Sequence, residues 1–149
     1  MSKKTFNAVL VSIGVLTLVP GLLEILFSLM GNSLVWGKVA FRGDFMFWRG
    51  IILTSSGIFF VLSAYDPTPV EKRARAILAS SMIWIVAGVE AASLVLGAIP
   101  GDGSRWFNSP TGFLNSFSGP FNPSIYLLPI SLALALLVFS RVKIHDEER

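Results

Sequence analysis

A chain of 149 residues that is 53% hydrophobic and only 14% charged cannot clothe its whole surface for water, since soluble domains carry about 25% charged residues. Its net charge of +3 and pI near 9.6 do not indicate nucleic acid, because the basic residues stand in short clusters between apolar runs rather than on one basic face. With no cysteine, disulfides, thiolate metal sites, iron–sulfur clusters and cysteine nucleophiles are excluded, and the single histidine, His145, sits in a charged tail, so no imidazole-held haem, chlorin or copper and no other cofactor is expected.

A mean hydropathy of +0.69 and this length predict one all-α domain, an integral membrane bundle of four helices. The first span covers about residues 8–31. After the basic start (Lys3, Lys4), an uncharged run from Ala8 to Leu23 leads to Glu24 and then to Gly31. At about 1.5 Å per residue this is long enough to cross a bilayer. A basic start and an apolar run also fit a signal peptide, but no small-x-small cleavage site follows, so the run reads as a retained helix.

The second span covers about 44–65 and halts at Asp66-Pro67-Thr68-Pro69, because proline cannot continue the hydrogen-bond ladder. The third covers about 75–99 and ends in the turn Pro100-Gly101-Asp102-Gly103. The fourth covers about 123–141, with Pro129 two turns in, where a kink is expected, and gives way to the charged tail. Spanning β-strands would alternate polar and apolar and be about half as long, whereas helices satisfy their own backbone in lipid.

Basic residues set the orientation. Lys3, Lys4, Lys72, Arg73, Arg75, Arg141, Lys143 and Arg149 fall on one side, against Lys38, Arg42, Arg49 and Arg105 on the other. Both termini are therefore expected in the cytoplasm, with the chain multi-pass in the cell (cytoplasmic or inner) membrane.

From Trp106 to Ser140 no charged residue appears, and Trp106, Phe107, Phe113, Phe117, Phe121 and Tyr126 are interleaved with Asn, Ser, Gly and Pro. Rings of this kind favour the membrane–water boundary. The connector reads either as an anchor along the outer surface or as a lid or docking surface for a partner subunit or lipid. Asn122 is followed by proline, so it is no glycosylation sequon.

Three ionisable residues interrupt the apolar runs: Glu24, Arg49 and Glu90. An unpaired charge at bilayer depth costs about 3 kcal/mol or more. Counted from the span ends, all three reach a similar level toward the outside. Arg49 is expected to pair with Glu90, with Glu24 as a second partner or solvated at the rim. Such a cluster fits a bundle-locking ion pair, a polar substrate or proton site, or side chains snorkelling to the interface.

Ala76, Ser80, Gly88 and Ala92, with Trp84 among them, recur at multiples of four on the third helix and are expected to pack a neighbouring helix closely. Thr54, Ser55 and Ser56 are expected to bond back to their own helix. Pro20-Gly21 reads as a tolerated kink. There is no phosphate loop, no paired metal-ligand spacing and no serine elbow. A carboxylate magnesium site from Glu24 and Glu90 has little support.

The Pro20-Gly21 near the end of the first helix, Phe47-Trp48-Arg49-Gly50 with Gly57-Ile58-Phe59-Phe60 in the second, and Gly88-Val89-Glu90 before Pro100-Gly101-Asp102-Gly103 give a layout that resembles the DoxX-like and related small four-helix membrane families over about residues 8–103. Glu90 stands where that pattern more often has arginine. The resemblance implies a subunit or accessory factor of a membrane redox system. The expected function is thus a non-catalytic accessory or structural subunit of a larger membrane complex, with membrane lipids and other membrane subunits, or further copies of itself, as partners and no nucleic acid. A small transporter using Arg49 and Glu90 is the alternative. An enzyme acting on a lipid or quinone is the third reading.

Overall fold

A computed structural model describes residues 3–100, 107–115 and 117–146, with the side chains of residues 3 and 139–146 left aside. Trp106, the Gly101-Asp102-Gly103 turn and Arg105 lie outside the described residues, as does the side chain of His145.

Helix α1 (Lys3–Leu29) is the first apolar run, begun more than a turn earlier than residue 8. It stops because Gly31 adopts φ +65, a conformation open to glycine. There the Gly31 N–H donates to the Ser28 carbonyl at 3.1 Å and the Asn32 N–H to the Phe27 carbonyl at 3.0 Å, a Schellman closure. Strands β1 (Leu34–Trp36) and β2 (Val39–Phe41) then pair antiparallel. Their two-residue turn places Gly37 at φ +60, the first central position, where a type II′ turn requires glycine. The fold is mostly helical, as expected, and this short hairpin is an addition to it. Its strands, Leu-Val-Trp and Val-Ala-Phe, are apolar throughout and only three residues long, so no alternation marks them in the sequence.

Helix α2 (Met46–Tyr65) ends at the expected Asp-Pro-Thr-Pro stop. Helix α3 (Pro69–Ala98) begins about two turns before residue 75. The Thr68 side chain caps it by accepting the Glu71 N–H at 3.2 Å, and Pro69 occupies a first-turn position where its missing N–H costs nothing. The basic cluster Lys72, Arg73 and Arg75 therefore lies on the first turns of α3, with Arg75 paired to Asp66 at 2.9 Å. A short helix α4 (Pro110–Asn115) precedes α5 (Pro123–Asp146), which continues through Pro129. Of these helices, α1, α2 and α3 are long and apolar enough to cross a bilayer, and the apolar part of α5, Pro123–Val138, is shorter.

The four longer helices pack in chain order, α1 on α2, α2 on α3 and α3 on α5, with α1 touching α5 lightly. Each neighbouring pair is antiparallel. Gly14 lies beside Gly57 and Gly21 beside Gly50. Ser56 Oγ donates across to the Ala79 carbonyl at 2.8 Å, Ser63 Oγ to the Lys72 carbonyl at 2.8 Å, and Trp84 Nε1 to Ser131 Oγ at 3.0 Å. The start of α1 and the far end of α5 thus share one end of the bundle, and the hairpin lies at the other.

Buried positions recur every three or four residues: Leu10, Gly14, Thr17, Gly21 and Glu24 on α1, and Arg49, Leu53, Ser56, Phe60 and Ser63 on α2. A spacing near 3.5 is that of helices crossing at a shallow left-handed angle. The same spacing explains one correction. On α3 the buried residues are Ala76, Ala79, Ser80, Ile83, Val86, Ala87 and Ala98, whereas a strict four-residue row drifts about 40° per step around a helix of 3.6 residues per turn. Ala76 and Ser80 are therefore buried and Trp84 is half-buried, but Gly88 and Ala92 have rotated out to the exposed side. Ser56 is a second correction, since it bonds to α3 rather than back to its own helix.

Candidate functional site

Glu24 occupies the α1 seam one turn after Gly21, and Arg49 occupies the α2 seam just before Gly50. The close Gly21–Gly50 approach brings the two charged side chains together in the interior. Arg49 Nε donates to both Glu24 oxygens, at 2.8 and 2.9 Å. Glu24 is fully buried and Arg49 is 7% exposed. Glu90, one turn beyond Ala87 on the α3 seam, lies 3.4 Å from an Arg49 terminal nitrogen. The other terminal nitrogen donates to the Arg42 carbonyl at 3.2 Å. All three candidate residues thus form one cluster, but the expected order is reversed: Glu24 is the principal partner of Arg49 and Glu90 the second.

Glu90 has its own support from α5. Ser124 Oγ donates to Glu90 Oε2 at 2.8 Å, and Asn122 Nδ2 donates to Oε1. Both residues flank Pro123, the first residue of α5, so the carboxylate sits at that helix's N-terminus, where unpaired N–H groups and the helix dipole favour negative charge. Asn122 and Ser124 were not among the residues singled out from the sequence as site candidates. Their signal is the Asn-Pro-Ser helix start, which announces a capped terminus but not which carboxylate it receives.

Above the cluster, the two connectors at the hairpin end close on each other. The Phe121 N–H donates to the Lys38 carbonyl and the Ala40 N–H to the Phe121 carbonyl, both at 2.9 Å. Tyr126 Oη donates to the Lys38 carbonyl at 2.6 Å, and Lys38 Nζ to the Ser118 carbonyl at 3.3 Å. Of the aromatic connector, Phe121 is held by β2, Phe113 and Phe117 meet edge to face at 5.2 Å, and Phe107 is 72% exposed. Large apolar side chains are also exposed beyond this connector: Trp36 at 80%, Phe45 at 74% and Trp48 at 61%. The hairpin end of the bundle therefore carries a collar of exposed rings around a tied cap.

Chemically, the cluster can hold but is poorly placed to react. Glu24 spends both oxygens on Arg49, and Glu90 receives Arg49, Asn122 and Ser124. A general acid or base needs a carboxylate free to reach substrate. Among the described residues, no group of three His, Cys, Asp or Glu side chains is arranged to hold a metal ion.

No family model matches the chain, and neither curated proteins nor solved structures gave a match.

Proposed function

We propose that the chain is a four-pass integral membrane protein with both ends in the cytoplasm, serving as a non-catalytic accessory or structural subunit of a larger membrane assembly. The observation that carries this reading is the closure of the Glu24–Arg49–Glu90 cluster, which joins α1, α2 and α3, and through Asn122 and Ser124 the start of α5. Buried charges spent on one another hold helices in position. Three helices of spanning length support the membrane setting. The antiparallel order of α5 after α3 supports its crossing as the fourth pass. The positive-inside count then directs the hairpin end, with its exposed rings, outward.

Assembly with neighbours is supported by α3, where Gly88 and Ala92 are exposed beside Ile85, Val89 and Leu96. Small residues on a lipid-facing helix let a second helix approach closely. Kinship with DoxX-like proteins, as part of the same proposal, would put that neighbour in a membrane redox system. Purification in mild detergent or a nanodisc is expected to bring down at least one other membrane protein in fixed proportion. Recovery of only a free monomer or a homo-oligomer would contradict the subunit role.

A further inference from the structure

The hairpin has one closed edge and one open edge. Strand β2 is paired on both sides: β1 takes one, and Phe121 takes the other, donating to the Lys38 carbonyl and accepting the Ala40 N–H. Because Ala40 spends its N–H on Phe121, its backbone groups point away from β1. Val35 lies opposite Ala40 in the ladder, so its own groups point away from β2, as every second pair of an antiparallel ladder does. The Val35 N–H and carbonyl therefore face outward, and among the described residues neither finds a backbone partner. Around them Leu34 is 40%, Val35 52% and Trp36 80% exposed.

Edge strands are commonly guarded by charged side chains, proline or a bulge, because a bare edge pairs with any extended chain that reaches it. Strand β1 has none of these and is guarded only by its shortness. On the membrane reading above, on which this inference rests, all copies insert the same way and carry this edge at one level. The strand best placed to meet β1 is therefore another β1. Antiparallel about Val35, two copies exchange both Val35 N–H···O bonds and set each Leu34 beside Trp36 of the second copy. Since Phe121 already fills the far edge of β2, pairing closes at two copies.

We propose that β1 is a docking edge for a second copy of this chain, the two hairpins joining about Val35 into one four-stranded sheet. The two-fold axis of such a pair stands perpendicular to the sheet, and copies inserted alike share an axis along the membrane normal. The joined hairpins then lie flat along the outer surface, with Trp36 at the boundary that aromatic rings favour. The pair is a unit within the larger assembly proposed above.

The chain has no cysteine, so single thiols in the full-length protein, oxidised in native membranes, report the pairing. Val35→Cys is expected to form a disulfide-linked homodimer, since Cα atoms of a hydrogen-bonded antiparallel pair lie about 5.5 Å apart, within disulfide reach. Ser33→Cys is expected to stay single, because its counterpart is four residues out of register, about 13 Å away. Coexpressed Leu34→Cys and Trp36→Cys chains, carrying tags of different length, should link to each other. Adding Val35→Pro to both should abolish that link, and because it removes only an outward N–H it leaves the hairpin's own ladder intact. Equal linking at positions 33 and 35 overturns the assignment. So does a Val35→Cys protein that stays single or links to a different protein, or a Leu34–Trp36 link that survives Val35→Pro. Recovery of the chain outside the bilayer contradicts the membrane reading itself, and purification without other subunits contradicts the subunit role, both distinct from these results.

Discussion

Arg49→Leu is expected to destabilise the protein by about 3–5 kcal/mol, the cost of removing one partner from a buried ion pair, and to leave little folded protein in the membrane. The magnitude follows from what the substitution strands. Glu24 is fully buried with both oxygens on Arg49 Nε, so its charge would have no partner, and Glu90 would lose its only cation in the cluster. Glu24→Gln is expected to cost more than Glu90→Gln. Among the described residues Glu24 has Arg49 alone, whereas a glutamine at position 90 keeps an oxygen for the Asn122 amide and turns an NH2 that the Ser124 hydroxyl can accept. Replacing all the charges together, Glu24→Leu with Arg49→Leu and Glu90→Gln, should recover much of the loss, because apolar packing often equals a buried ion pair in stability. Thermal unfolding in detergent, followed by size-exclusion chromatography, reads all of these. An Arg49→Leu protein that melts like the parent would refute the locking role.

Gly57→Val is expected to force α1 and α2 apart, at a cost of about 1–3 kcal/mol or more, the range for overpacking a filled interior. A Cβ at position 57 would stand 2.7 Å from the Leu18 nitrogen and 2.8 Å from the Gly14 carbonyl oxygen. Both are backbone atoms, which cannot swing aside. Because the same crossing aligns Gly21 with Gly50, separating the helices also stretches the Glu24–Arg49 contact farther along it. The contrasting substitution is Gly88→Ala. Nothing lies within 4 Å of the Cβ it would add, and alanine favours a helix over glycine by about 0.5–1 kcal/mol, so the isolated protein should gain slightly. Opposite signs at two helix glycines, measured in the same melting assay, would show that the tight α1–α2 approach depends on where the glycine lies.

The long helices were legible because they rest on long apolar runs punctuated by Pro and Gly, as at the Asp66-Pro67-Thr68-Pro69 stop. The level of Glu24, Arg49 and Glu90 could be counted from the span ends. Which faces meet could not. These helices are apolar nearly all round, so the usual contrast between a greasy face and a wet one is missing. The seams are marked by small and polar residues instead: Gly14, Thr17 and Gly21 against Gly50, Ser56 and Gly57. Read by size at seven-residue spacing, the pairs Gly14/Gly21 and Gly50/Gly57 do point to the α1–α2 contact, and with it to Glu24 as the principal partner of Arg49. The exposed Gly88 and Ala92 show the converse error, a size pattern read at a period of four that the helix does not keep. The support of Glu90 by Asn122 and Ser124, 32 and 34 residues away in the chain, depends on how the connector folds back over the hairpin, which no local pattern encodes.

The most direct test of the membrane layout uses the chain's lack of cysteine, which makes any introduced thiol unambiguous. Single cysteines at Ser33 and Ser118, both exposed at the hairpin end, and at Pro67, exposed at the other end, would be probed in intact cells with a membrane-impermeant maleimide. Ser33→Cys and Ser118→Cys should react at once, and Pro67→Cys only after the cells are opened. Labelling of positions 33 and 67 from the same side, or recovery of the folded chain in the soluble fraction, would contradict a bundle that carries its charged cluster inside a bilayer.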